Sequence, residues 1–213
     1  LRWCVPREYG GKHESLDVRS LCLIRETLAR YDALADFSFA MQGLGSGAIS
    51  LYGNSEQKRN ILEEVSAGRM IAGFALSEPD AGSDVAAMNS KAFSTTEGWK
   101  VNGEKSWISN GGIADYYTLF AKTSDQPGSG GFSAFLLKAD NPGLSIVERQ
   151  EVMAPHPLAR LQLKDAELSR EALLGEEGKG FGIAMATLNI FRPTVGAAAL
   201  GFARRALDEI LHY

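Results

Sequence analysis

Leu21, Ile24, Leu28, Tyr31 and Ala35 recur at alternating spacings of three and four, one face of a helix, with Ser15 and Asp17 standing before them as start signals. Residues 1–70 read as helical. The run Gly43-Leu44-Gly45-Ser46-Gly47 predicts a break in that helix, with a second helix through Ala48 to Tyr52. Ser55-Glu56-Gln57-Lys58 predicts a third, opened by an N-cap hydroxyl and closed at Gly68.

From Ile71 to about Leu168 the hydrophobic period moves towards two. Ile71–Leu76, Ser90–Thr95, Trp99–Val101, Glu104–Ile108, Tyr117–Lys122, Phe132–Leu137, Leu144–Glu148 and Leu161–Lys164 read as short strands. Asn102-Gly103 between two of them predicts a tight hairpin, because both residues tolerate positive φ. About eight strands in roughly a hundred residues imply a β-barrel or sandwich. Beyond the glycine-rich stretch Gly175–Gly182 the helical period returns. Phe181, Ala184, Met185 and Leu188 share a face that Val195 continues, and Pro193 predicts a kink by depriving the Asn189 carbonyl of its partner. The fold class predicted is α+β: part of an N-terminal helical domain (1–70), a central β-barrel or sandwich domain (71–174), and the first helix of a C-terminal helical bundle (175–213). Leu1 is no initiator Met and Tyr213 stops without a capping signal, so both ends read as cut from a longer chain.

Composition narrows the chemistry. With 213 residues, 45% hydrophobic and a net charge of −4, the chain can bury a core but lacks the basic footprint of a nucleic-acid binder. Its longest uncharged stretch, about Ile183 to Phe191, is shorter than the roughly 20 residues of a membrane span, so no membrane is expected as partner. Charges scattered through residues 1–20 argue against a secretory signal. Cys4 and Cys22 lack metal-type spacing, His13, His156 and His212 are dispersed, and no metal site is expected. Two thiols suit a reducing compartment, so a soluble, intracellular chain is expected.

Candidate chemistry concentrates in two runs. Phe74-Ala75-Leu76-Ser77-Glu78-Pro79-Asp80-Ala81-Gly82-Ser83-Asp84 leaves an apolar strand and turns, with hydroxyls at Ser77 and Ser83 and a bare backbone at Gly82. Trp107-Ile108-Ser109-Asn110-Gly111-Gly112 ends a strand on an indole, a hydroxyl and two glycines. An aromatic wall, short donors and exposed amides suit a flat redox-active ring. Taken singly, Trp107 suits a core position, Ser77 a turn, Arg192 a surface ion pair, and Asp80 and Asp84 solvated charges.

Together with Val5-Pro6-Arg7-Glu8-Tyr9-Gly10-Gly11, Gly53-Asn54-Ser55-Glu56-Gln57-Lys58, Val101-Asn102-Gly103-Glu104-Lys105, Glu177-Gly178-Lys179-Gly180-Phe181 and Asn189 to Pro193, these runs resemble, in order, the acyl-CoA dehydrogenase family of flavoproteins. The resemblance covers about 90% of the chain. It implies non-covalent FAD, α,β-dehydrogenation of an acyl-CoA thioester, electron transfer to an electron-transfer flavoprotein, and a homodimer or homotetramer. It implies cofactor contacts at Phe74, Leu76, Ser77, Gly82, Ser83, Trp107, Ile108 and Ser109. Substrate contacts are implied at Ser83, Phe181, Asn189 and Arg192. Serine stands at Ser77 and Ser109 where the family often has threonine. Met153-Ala154-Pro155-His156-Pro157-Leu158 departs from the family's Gly-x-Arg-Gly-Ser type of run, which makes His156 a minor site candidate. The catalytic carboxylate, which in some relatives directly precedes the residue matching Arg192, is replaced here by Phe191. No catalytic residue is therefore assigned to this chain, and the base is expected in C-terminal helices beyond Tyr213. An acyl-CoA oxidase or nitroalkane oxidase on the same scaffold, or a non-catalytic FAD-holding subunit, are the alternatives.

Overall fold

A computed structural model describes residues 1–126, 128–154 and 156–213. Three helices come first: α1 (Val18–Tyr31), α2 (Ala33–Tyr52) and α3 (Ser55–Ser66). Asp17 caps α1 by accepting the Ser20 amide, and Asp32 ends α1 while capping α2 through the Leu34 and Ala35 amides. The cap of α3 is Asn54 rather than Ser55, in a reciprocal capping box with Gln57.

The glycine run does not break α2, contrary to the expectation from propensity. These glycines face neighbouring elements at distances that admit no side chain. A methyl at Gly43 or Gly47 would come within 2.6 or 2.8 Å of the Phe191 ring, and one at Gly45 within 2.6 Å of Ala72 Cβ and 2.9 Å of its carbonyl carbon. Each glycine costs about 1 kcal/mol of helix propensity, which the close packing outweighs. Gly45→Ala is expected to destabilise the protein by about 1–2 kcal/mol in urea titration, since overpacking against an immovable backbone (~1–3 kcal/mol) exceeds the propensity gained.

Eight strands follow: β1 (Ala72–Ala75), β2 (Lys91–Ser94), β3 (Gly98–Ser109), β4 (Tyr116–Lys122), β5 (Phe132–Lys138), β6 (Leu144–Arg149), β7 (Leu158–Ser169) and β8 (Leu173–Leu174). They form one sheet in the order β6-β7-β3-β2-β4-β5-β8, with β1 beside β4 in parallel. The two predicted strands around Asn102-Gly103 are a single strand. The register against β7 shifts between Val101 and Gly103, with the extra residue on β7 near Asp165 (φ 48°), so the dipeptide runs on in a strand opposite a β-bulge instead of turning a hairpin. Gly103 has φ 152° and lies against Ser90, while Asn102 exchanges two hydrogen bonds with Asp165. The chain reverses instead between β2 and β3, where Thr95 and Gly98 bond to each other.

Two apolar cores result. One lies within the curled sheet, where Trp99 meets Phe135 edge-on at 5.4 Å among Val101, Leu119 and Leu161. The other lies between the sheet and the helices, built from Ile49, Leu62, Phe120 and Phe132. The final helix, α4 (Gly180–His212), runs unbroken through Pro193. With Arg192 counted inside it, α4 is long and apolar enough to cross a membrane. Its residues Ile183, Ala184, Phe191 and Ala198 are buried against the rest of the protein, while Val195, Leu200, Phe202 and Leu207 are exposed. Arg25 of α1 grips Asp36 of α2 through two bonds of 2.8 and 2.7 Å and donates to Thr194 Oγ1 of α4 at 3.0 Å, so one buried guanidinium joins three helices.

Candidate functional site

The end of β1, the turn after it, the end of β3 and one face each of α2 and α4 enclose a cleft of about 500 Å³. Phe74 enters it from β1 and Leu76, Ser77, Gly82 and Ser83 from the turn that follows, while β3 contributes Trp107, Ile108 and Ser109. Phe181 and Arg192 reach it from α4, together with Met185 and Leu188 at helical spacing. Asn189, expected among them, does not line the cleft. It sits about a quarter-turn away from that row, exposed, with its Oδ1 3.5 Å from the Arg192 guanidinium. His156 stacks on Phe37 of α2 at 4.0 Å rather than lining the cleft, and Phe191 points away into the glycine face of α2. Pro155, within the departing run, lies outside the described residues.

Trp107 is placed by backbone strain. The β3–β7 register shifts again between Lys105 and Ile108, and Trp107 takes a left-handed φ of 60° that a bulky residue adopts at a cost. The Gln150 Oε1 accepts its amide at 2.9 Å and holds this geometry. The indole is thereby 58% exposed at a strand end whose neighbours Ser106 and Ile108 are buried. Strain of this kind gathers at functional sites.

The two serine-bearing walls are joined beneath the cleft by a pair that the sequence reading left unassigned. Lys105, fully buried, places its Nζ 2.7 Å from Glu78 Oε1 and 3.2 Å from the Leu76 carbonyl. Glu78 also accepts the Asn89 and Ser90 amides, and Ser106 donates its amide to the Ser77 carbonyl at 3.0 Å. Burial pushes the Glu78 carboxyl up, but Lys105 and these hydrogen bonds outweigh it and hold the group below the ordinary carboxylate range. The available signal was Glu78 directly after Ser77 and Lys105 two residues before Trp107. Met41 and Leu44 of α2 also line the cleft unforeseen, because the expected helix break hid their common face.

The donor set fits a flavin. Hydroxyls at Ser77, Ser83 and Ser109 and a guanidinium at Arg192 border an otherwise aromatic and aliphatic hollow, and a side chain at Gly82 would meet open space. Asp84 is the one carboxylate among the described lining residues. Its Oδ1 accepts the Ala86 amide as the cap of a short 3-10 turn (Val85–Ala87).

Residues 1–69, 73–166 and 178–213 match, in turn, the family models for the acyl-CoA dehydrogenase N-terminal, middle and C-terminal domains. The chain is 37% identical over 211 residues to a probable acyl-CoA dehydrogenase, FadE25, of Mycobacterium tuberculosis, covering 98% of this chain and 54% of that protein. It superposes on butyryl-CoA dehydrogenase of Megasphaera elsdenii with a TM-score of 0.92 and 35% identity, over 97% of this chain and 55% of that one. An acyl-CoA dehydrogenase complexed with FAD from Bacillus anthracis gives a TM-score of 0.90 at 36% identity, over all of this chain and 36% of that one. The chain spans about half the length of the curated relatives it matches.

Proposed function

From the premise that this chain belongs to the acyl-CoA dehydrogenase family, we propose that its cleft holds the isoalloxazine of FAD against an acyl-CoA thioester, as part of an enzyme that desaturates the acyl chain between the α and β carbons. The supporting observation is the meeting of both serine-bearing runs and Trp107 with the Phe181–Arg192 face of α4 in one cleft. When bound, FAD supplies the acceptor for the β hydrogen as hydride, and its electrons pass to an electron-transfer flavoprotein.

The residues of this chain bind and orient. Ser77 and Ser109 present hydroxyls to the polar side of the ring system, where preorganised donors stabilise charge that builds up on reduction. Trp107 covers a ring face and keeps water from it, while Phe181, Met185 and Leu188 provide an apolar wall for the acyl chain. Arg192, on the same face of α4, is suited to a phosphate or carbonyl of the thioester. The α proton requires a carboxylate within hydrogen-bond reach, and Phe191 cannot take it. Asp84, exposed on the turn, caps the short 3-10 turn through its Oδ1 and is given no role as base. We therefore assign the base to a carboxylate outside these 213 residues.

The test is FAD titration of the purified protein, followed by the visible flavin bands, then anaerobic addition of acyl-CoAs of graded length to a form carrying the base. Uptake of one FAD per chain and bleaching by a thioester are expected. Peroxide release in air in place of dye reduction would assign the oxidase chemistry instead. Trp107→Ala is expected to weaken FAD binding at least tenfold, about 1.4 kcal/mol, and unchanged affinity would remove the indole from the site.

A further inference from the structure

Resting on the flavin reading above, we propose that Lys105 is a positioning residue that tunes the cofactor through a single peptide group. Its ammonium donates to the Leu76 carbonyl at 3.2 Å from a fully buried position. The Leu76 carbonyl and the Ser77 amide belong to the same peptide unit, and no peptide is cis among the described residues. In a trans peptide the N–H points opposite to the C=O, so the Ser77 N–H faces away from Lys105. Both Leu76 and Ser77 line the cleft, and among the described residues the Ser77 N–H has no protein acceptor. A positive charge on the carbonyl end of a peptide polarises it and strengthens the donor at the other end, more so in a dry interior than in water. The Ser77 amide is thus a free, strengthened donor on the side of the peptide away from Lys105, where it would stabilise the negative charge that a bound flavin gathers on reduction.

Glu78 keeps the ammonium in place. Its Oε1 lies 2.7 Å from Nζ, and the Asn89 and Ser90 amides share its charge, so the carboxylate is anchored by backbone groups other than the Leu76–Ser77 peptide. The Ser106–Ser77 bond fixes the next peptide of the turn, leaving little freedom for Ser77 to turn its amide elsewhere. The role is therefore electrostatic as well as architectural, and the two can be separated.

The test measures the reduction potential of the FAD-loaded protein beside its melting temperature. Glu78→Gln with Lys105→Met removes both charges and keeps both side-chain lengths, so it is expected to fold and to load. The ratio of reduced- to oxidised-flavin affinity should fall about tenfold, which for a two-electron couple is about 30 mV more negative. Lys105→Arg, which keeps the charge, should restore the potential. Glu78→Gln with Lys105→Gln, which also removes both charges, provides a second variant with the same expected shift if the first does not fold. A loaded double variant with an unshifted potential, or a Lys105→Arg variant whose potential falls as far as the double's, overturns the inference while leaving the flavin reading intact. Failure of the unaltered protein to take up FAD overturns the flavin reading itself, and the inference with it.

Discussion

Lys105→Met alone is expected to cost about 3–5 kcal/mol of stability, because it strands the Glu78 carboxylate in a site where only 5% of the residue is exposed. The pair itself is weak evidence of net stabilisation, since removing two charges from water offsets most of their attraction. Adding Glu78→Gln to Lys105→Met should therefore recover most of the loss, and the coupling is read from a double-mutant cycle in urea. Acid gives an independent check. The folded Glu78 carboxyl lies below its ordinary value of 4.5, so its contribution is present in full above that value and is lost as pH falls through the lower, folded one. Urea midpoints of the unaltered protein should fall in that acid window, and the fall should be shallower in Glu78→Gln. Equal slopes would mean that Glu78 does not carry the effect.

Arg25→Met is expected to have an effect of similar size, about 3–5 kcal/mol, for a related reason in a different place. Asp36 is 3% exposed and receives both guanidinium bonds, so it would be left as a buried, unpaired anion. Thr194 would also lose a donor to its hydroxyl, while its own bond to the Phe191 carbonyl remains. The expected consequence reaches beyond stability. Thr194 lies two residues past Arg192 on α4, so loosening this junction should lower the affinity for thioester more than that for FAD. Spectral titrations of Arg25→Lys, which keeps a cation beside Asp36 but loses the forked pairing, would separate the two. Equal weakening of both ligands would argue that α4 moves as part of a general loosening.

Strand alternation is a local property, and the strands of the sheet could be read wherever side chains alternate. Asn102-Gly103 shows where such reading stops. The same two residues suit a hairpin turn or a strand that continues opposite a bulge, and the choice is made by Ser90 lying against Gly103 and by Asp165 bonding Asn102, both remote in sequence. The α2 glycines were misread for the same reason, since propensity counts the cost of a glycine but cannot see Phe191 and Ala72 pressed against it. The cleft was largely legible because its walls are short contiguous motifs, and helical spacing aligned Phe181, Met185 and Leu188 before any coordinates. Asn189 falls outside the row facing the cleft because membership of a motif does not specify a face. Lys105 and Arg25 escaped notice because a single charge in an apolar pattern reads as solvated until its partner is known.

Trp107 adds a tension between durability and purpose. Its left-handed backbone is a conformation in which glycine would rest at ease, and the indole hangs largely in solvent, contributing little to cohesion. A polypeptide optimised only to resist heat would discard that ring and gain by doing so. The molecule instead carries an unfavourable torsion at the lip of its cleft, so part of its thermal margin is given up to keep a surface that only an incoming guest can complete.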